Sequence, residues 1–267
     1  TATLDLRAGG DIALTAARLD AGSATLAAAG DIHLGTVVEH RSETFTAGRY
    51  TRTESEQREV GTRIDTAGDL GIAAGGRLAL DAAALAAGGD LVAQAGGDLS
   101  VRAGREAQAI AIRNGRSSLD IGQARAVESS LVGERVALVA DRDLTVAGSR
   151  VGAVRDMTLA AGGDLSLATV VETDRNDWQK GDGRNWRRES ASRELGSTLE
   201  AGGDIRLLAG QDLGARAAEV TSREGSVVAS AGRDLTVEAG EATYQLDQAS
   251  YKKKGGFLSS KTKTTRD

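Results

Sequence analysis

A pair of apolar residues separated by one position recurs after a step of eight residues, and it does so at eight places in the chain. The first members of the two pairs are Leu4 and Ile12, Ala24 and Ile32, Leu70 and Leu78, Leu91 and Leu99, Val136 and Leu144, Met157 and Leu165, Ile205 and Leu213, and Val227 and Leu235. From each second pair to the next first pair the gap alternates strictly between short (12, 13, 13 and 14 residues) and long (38, 37 and 40). In the short gaps a lone apolar residue, Leu19, Leu85, Val151 or Val220, follows seven positions after the second pair begins. Alternation with period two identifies strands. Three short strands per lap of about 21 residues predict an all-β chain: a right-handed, three-sided parallel β-helix of about eight coils.

Composition agrees with a thin interior. Of 267 residues only 3% are aromatic, so Leu, Val, Ile and Ala must fill the core. There is no Pro to interrupt a strand ladder and no Cys for disulfides or thiolate metal sites. No apolar run is long enough for a transmembrane helix. The net charge of −5 argues against nucleic acid as a partner. The chain starts in mid-pattern without an initiating Met or signal peptide and ends in a polar tail, as expected of a segment from a longer protein.

Gly-Asp corners recur, as in Gly9-Gly10-Asp11, Gly68-Asp69, Gly89-Asp90, Gly97-Asp98, Gly163-Asp164 and Gly203-Asp204. Glycine is expected to supply positive φ there and Asp to bond a nearby backbone N–H. Calcium ligation is the rival reading, but the period is not nine and the second Gly-x-Asp element is missing. No cofactor or metal site is evident.

A longer period sits above the coil. Residues 31–39 match 164–172, and 98–104 match 234–240. The whole chain, 1–267, therefore reads as a single solenoid of two sequence units, roughly 1–134 and 135–267. Each long gap holds a polar excursion, at roughly 36–61, 105–130, 169–196 and 241–267, which reads as a β-hairpin. Asn114-Gly115 is the expected two-residue turn of the second. Phe45 and Tyr50 flank one tip and Trp178 and Trp186 another, so each pair is expected to meet across its hairpin. One hairpin leaves every second coil, about 9.6 Å along the axis, and a hairpin is itself two strands wide. Successive hairpins should then lie edge to edge in one additional sheet.

Catalysis has little support. His33 and His40 are the only imidazoles, and His33 lies between Ile32 and Leu34, which points it outward. No nucleophile-base signature is present, and the regular Asp residues occupy corners rather than a cleft. Exposed loops on a rigid scaffold are the better binding surface. The candidate contact residues are Trp178, Trp186, Arg184, Arg187 and Arg188 of the third excursion, with Lys252, Lys253 and Lys254 of the fourth.

Residues 141–151, followed by 155–167, resemble the haemagglutinin repeat of filamentous haemagglutinins and contact-dependent growth inhibition effectors. The basic, Ser/Thr-rich tail at 252–265 is similar to insertions of that family. The resemblance implies a two-partner secretion exoprotein, exported through parts outside this chain and exposed on the bacterial surface. Its implied role is a non-enzymatic rod segment of an adhesin or inhibition effector that projects or delivers other domains. A second expectation is a binding module whose hairpins contact glycans, a receptor or the outer membrane of a host or target cell. A third is a polysaccharide-active β-helix enzyme. Open sheet edges at the end coils lead to the expectation of end-to-end self-association.

Overall fold

A computed structural model describes residues 2–181, 183–256 and 259–266, the side chains at 253–256, 259–262 and 266 lying outside the described set. Coil 1 consists of strands Thr3–Ala8, Ile12–Thr15 and Arg18–Ala21, one on each side of the solenoid. Coil 2 begins with Ser23–Ala28 and Ile32–Gly35, departs into hairpin 1 (Val37–Ala47 and Tyr50–Val60), and closes with Arg63–Thr66. The two-coil plan then repeats, with hairpin 2 (Gly104–Asn114 and Ser117–Val127), hairpin 3 (Val170–Lys180 and Asn185–Leu195) and hairpin 4 (Ala242–Gly256 and Ser259–Arg266). Every hairpin leaves at the same corner, between the second and third sides. The first and second sides are parallel sheets of eight strands, and the third has seven, because the eighth coil has no third strand among the described residues.

Inward positions stack in register. On the second side Ile32, Leu78, Leu99, Leu144, Leu165 and Leu213 form one ladder, and none is more than 2% exposed. Burying each such side chain stabilises the fold by about 1.5–3 kcal/mol. The third-side ladder is fuller than the eight-residue pattern indicates. Ile64, Leu131 and Leu199 alternate with Leu85 and Val151 and are equally buried. The hairpin inserted ahead of each of these three displaces it from its fixed spacing. At the last coil the ladder is open, with Val227, Leu235 and Val237 exposed.

The corner glycines differ from expectation. None of those in the Gly-Asp corners has positive φ. Beyond the first coil, where Gly9 and Gly10 have open space, a Cβ would have no room: on Gly30 it would overlap Oδ1 of Asp11, on Gly76 that of Asp31, on Gly89 that of Asp69, and on Gly163 that of Asp143. Most of the corner Asp residues reach across to a main-chain N–H of the next coil rather than within their own turn, whereas Asp90 and Asp98 pair with the side chains of Arg135 and Arg142. Asp11 Oδ1 accepts the N–H of Asp31 at 2.8 Å, Asp69 that of Asp90 at 2.9 Å, Asp143 that of Asp164 at 2.9 Å, and Asp164 that of Asp212 at 3.0 Å. Glycine opens the space that the Asp of the coil before fills, and the Asp beside it serves the coil after.

Positive φ occurs at a different corner, between the second and third sides of the coils without hairpins, at Ala16, Ala82, Ala217 and Gly148. Three of these turns are held by a buried hydroxyl from the residue that follows a hairpin in the next coil. Ser129 Oγ donates to the Arg102 carbonyl at 2.6 Å and accepts the Ala83 N–H at 2.9 Å. Thr62 bonds Leu14 and Ala17 in the same way, and Ser197 bonds Val146 and Ser149.

The Gly-Asp interlock predicts a coupled pair of substitutions. Gly163→Ala should destabilise the chain by about 1–3 kcal/mol through the clash with Asp143. The Asp143→Ala/Gly163→Ala double variant should recover part of that loss, against additivity. Denaturant unfolding of the four-member cycle measures it, and strictly additive losses would refute the interlock.

Candidate functional site

The four hairpins form one eight-stranded antiparallel sheet along the side of the solenoid, as their spacing predicted. Hairpins 1 and 2 pair from Glu106↔Arg58 to Asn114↔Tyr50, hairpins 2 and 3 from Ala124↔Thr173 to Ser118↔Gln179, and hairpins 3 and 4 from Arg193↔Ala242 to Trp186↔Ala249. Side chains alternate between faces, so these registers assign each residue to one of two faces.

One face carries the large apolar groups. Across it, in one row, run Phe45, Arg52, Ile112, Leu119, Trp178, Arg187 and Gln248, with Ile110 and Ile121 in the next row. The other face is small and polar. Thr44 pairs with Thr53 through their hydroxyls at 3.1 Å, Ser192 with Thr243 at 2.7 Å, and Ala107, Ala109 and Gly122 lie between.

The tips correct two expectations. The two-residue turn of hairpin 2 is Gly115-Arg116, because Asn114 pairs with Ser117, and hairpin 1 turns likewise on Gly48-Arg49. Only the first residue of each turn has positive φ, 60° in both, which is the type II′ pattern. Phe45 and Tyr50 meet as foreseen, ring centroids 6.4 Å apart and edge to face. Trp178 and Trp186 do not: Trp178 lies opposite Arg187 and Trp186 opposite Gln179, on the two different faces.

The candidate contact residues are therefore divided. Trp178, Arg187 and Lys252 belong to the apolar face, where Arg187 pairs with Glu189 at 3.0 Å. Trp186 and Arg188 belong to the polar face, the guanidinium 5.0 Å above the indole. Arg184 sits in the third turn, 4.8 Å over the ring of Tyr251. Lys253 and Lys254 pair with Thr262 and Lys261 in the backbone ladder, and their side chains lie outside the described residues. His33 points outward, its Nε2 2.9 Å from Asp81. Among the described residues no group of three or more His, Asp or Glu side chains is placed to hold a metal ion.

Three glutamates close the seams between neighbouring hairpins, and the sequence pattern did not single them out for this. At the root of the first seam Glu59 accepts the Arg105 N–H at 3.0 Å, at the second Glu172 accepts the Ala126 N–H at 3.1 Å, and at the third Glu194 accepts the Glu241 N–H at 2.9 Å. Glu59 and Glu194 are one long period apart, which is the signal that could have found them. Glu172 is buried. Burial opposes its ionisation, but the Ala126 N–H and Arg193, whose Nη2 is 2.6 Å away, outweigh that and hold the carboxyl below its ordinary value. Glu194 is likewise lowered, first by its hydrogen bond to Arg216 and then by the Glu241 N–H. Arg216 gathers Glu194, Glu238 and Glu241 around one guanidinium, which raises its own affinity for the proton.

This architecture can be set beside known proteins. Residues 107–186 and 179–265 each match the family model described as hemagglutinin repeat. The chain belongs to the hemagglutinin-repeat family. Neither the curated proteins nor the solved structures gave a match. Seen on the fold, each hemagglutinin-repeat match runs from one hairpin, through two coils, to the next hairpin. The repeat thus embraces a stretch of solenoid together with strands of the hairpin sheet.

The lowered carboxyls of Glu172 and Glu194 predict an acid-sensitive sheet. A depressed carboxyl stabilises the fold above its unfolded value, near 4.5 for Glu, and loses that contribution as pH falls through the lower folded value. Protection of the Ala126 amide, measured against the intrinsic exchange rate at each pH, should fall as the pH is lowered below 4.5, and Glu172→Gln should flatten that dependence. An unchanged pH profile in the variant would refute the assignment.

Proposed function

We propose that this chain is a rod segment of a secreted, cell-surface filamentous protein, either an adhesin or a contact-dependent growth inhibition effector, whose stiffness projects or delivers other domains. The observation that carries this reading is the unbroken stacking of the first two solenoid sides through all eight coils and of the third side through seven. Each coil adds about 4.8 Å, so eight coils give a rod of roughly 38 Å. Stability in such a stack is a sum of coil and interface contributions, so length changes without change of cross-section. The role in this reading is mechanical: Asp11 and Asp69 hold main-chain N–H groups at corners, and Glu172 holds a seam and an ion pair. Export by two-partner secretion belongs to this proposal through the family alone.

A second reading, in which the hairpins contact anionic groups of glycans or of a target cell's outer membrane, is favoured by charge. The hairpin spans 37–60, 104–127, 170–195 and 242–267 hold 20 basic and 15 acidic side chains, and the remainder holds 13 and 23, making up the 33 and 38 of the whole chain. The solenoid is therefore acidic, and the basic excess of the hairpins lies in the second and fourth, the first being slightly acidic and the third neutral. Arg49, Arg116 and Arg184, all exposed, occupy three successive tips, and Lys252, Lys253, Lys254, Lys261 and Lys263 lie on the fourth hairpin. Surface charge of this sign draws anionic partners in a salt-dependent way.

Deleting residues 70–135 removes one two-coil module and joins Asp69 to Val136, which occupies the position of Leu70 in the stack. The shortened protein should remain folded and lose about 9.6 Å of length at constant cross-section, as read by small-angle scattering. Collapse or unfolding would count against the modular rod. Loss of binding to outer-membrane vesicles on trimming the hairpins, in a protein that binds them at low salt, would establish the second reading.

A further inference from the structure

Among the described residues the hairpin strands make extensive contacts only with one another, so no second layer covers the apolar face of their sheet. At its centre Ile110 lies opposite Ile121 and Ile112 opposite Leu119. Trp178 stands next to Leu119 across the seam and is 42% exposed. Behind this block the polar face carries small groups such as Ala109 and Gly122 together with charged ones such as Asp120, Asp177 and Arg175, so the sheet is amphipathic and yet a single layer. An antiparallel sheet of this kind ordinarily buries its apolar face against a second layer about 10 Å away. The block is flanked on both sides by ion pairs made within one strand, Arg52 with Glu54 and Arg187 with Glu189. An apolar centre inside a charged rim is the anatomy of a protein interface. Charges already paired at the rim can approach a partner without either being stranded.

We propose that a second copy of this chain covers this face, two hairpin sheets packing against each other through the same patch to form a β-sandwich between two solenoids. Area decides for this occupant. The seven strands from Val37–Ala47 to Ala242–Gly256 at about 4.8 Å and about eight ladder positions at roughly 3.4 Å give a footprint of roughly 900 Å² on each partner. A standard stable interface buries about 800 Å² per partner. The contact is isologous, so it closes with two chains. Strands of 11 residues reach about 36 Å from the rod, so when the tips of one sheet lie over the roots of the other the solenoids stand on opposite sides.

The test is sedimentation velocity of the whole chain across the micromolar range. The expected species has twice the 27.4 kDa of one chain. Leu119→Lys and the milder Trp178→Ser should each weaken association by about tenfold or more, with an unchanged far-ultraviolet circular dichroism spectrum. Thr44→Lys, on the polar face, should leave it intact. A wild-type chain that stays monomeric throughout would overturn the proposal. So would association abolished by Val237→Lys, on the exposed end coil, but retained in Leu119→Lys and Trp178→Ser, which would mean coil-on-coil stacking of chain ends.

Discussion

Coil lies on coil at the spacing of a hydrogen-bonded strand pair, and everything else in this molecule accommodates that closeness. At about 4.8 Å a Cβ at many corners would overlap the carboxylate of the coil before, as at Gly30, Gly89 and Gly163. The chain answers with an alternating requirement: one residue at the corner gives up its Cβ, and its neighbour extends a carboxylate into the space released by the coil beyond. The carboxylate then satisfies a main-chain N–H that the turn would otherwise leave without a partner. The frequent Gly-Asp dipeptides are thus two halves of one device, repeated because the backbone repeats.

The hairpins follow from the same spacing. A hairpin two strands wide, emitted every second coil, advances along the axis at the pitch that lets neighbouring hairpins hydrogen-bond. Pairing across the seams then depends on what happens at their roots, where the strands diverge toward the solenoid. Glu59, Glu172 and Glu194 terminate the ladders there by lending a carboxylate to the next free N–H. At the corner beneath, Thr62, Ser129 and Ser197 repair the neighbouring turn with a buried hydroxyl. Hairpin and solenoid are joined by polar groups with assigned partners, and this joint keeps the projecting sheet in register with the rod.

Much of this was legible in the sequence, because the inward positions of the first and second sides keep a constant spacing that no insertion interrupts. The third side was legible only in the coils without hairpins, since Ile64, Leu131 and Leu199 follow insertions of different length. The two tryptophans show how parity limits such an inference. Symmetry about Gly181-Asp182-Gly183 implies a loop of three residues, whereas Lys180 pairs with Asn185 across a loop of four. A slip of one residue turns a side chain to the opposite face. The Phe45 and Tyr50 tip, with its two-residue turn, carried no such ambiguity. The role of glycine at the corners was misjudged because conformational freedom and absence of volume favour the same residue, and only coordinates separate them.

Wherever a described corner carboxylate accepts a main-chain N–H, as at Asp11, Asp69, Asp143 and Asp164, that N–H belongs to the following coil. The ladder of acceptors therefore has a direction, like a row of hooks all bent one way. For a chain that becomes available from its N-terminal end, every new winding finds its acceptor already in place on the winding beneath. For a chain presented from the other end, each winding must wait with an unmatched N–H until its predecessor arrives. The rod is a structure whose assembly is templated more readily in one sense than in the other.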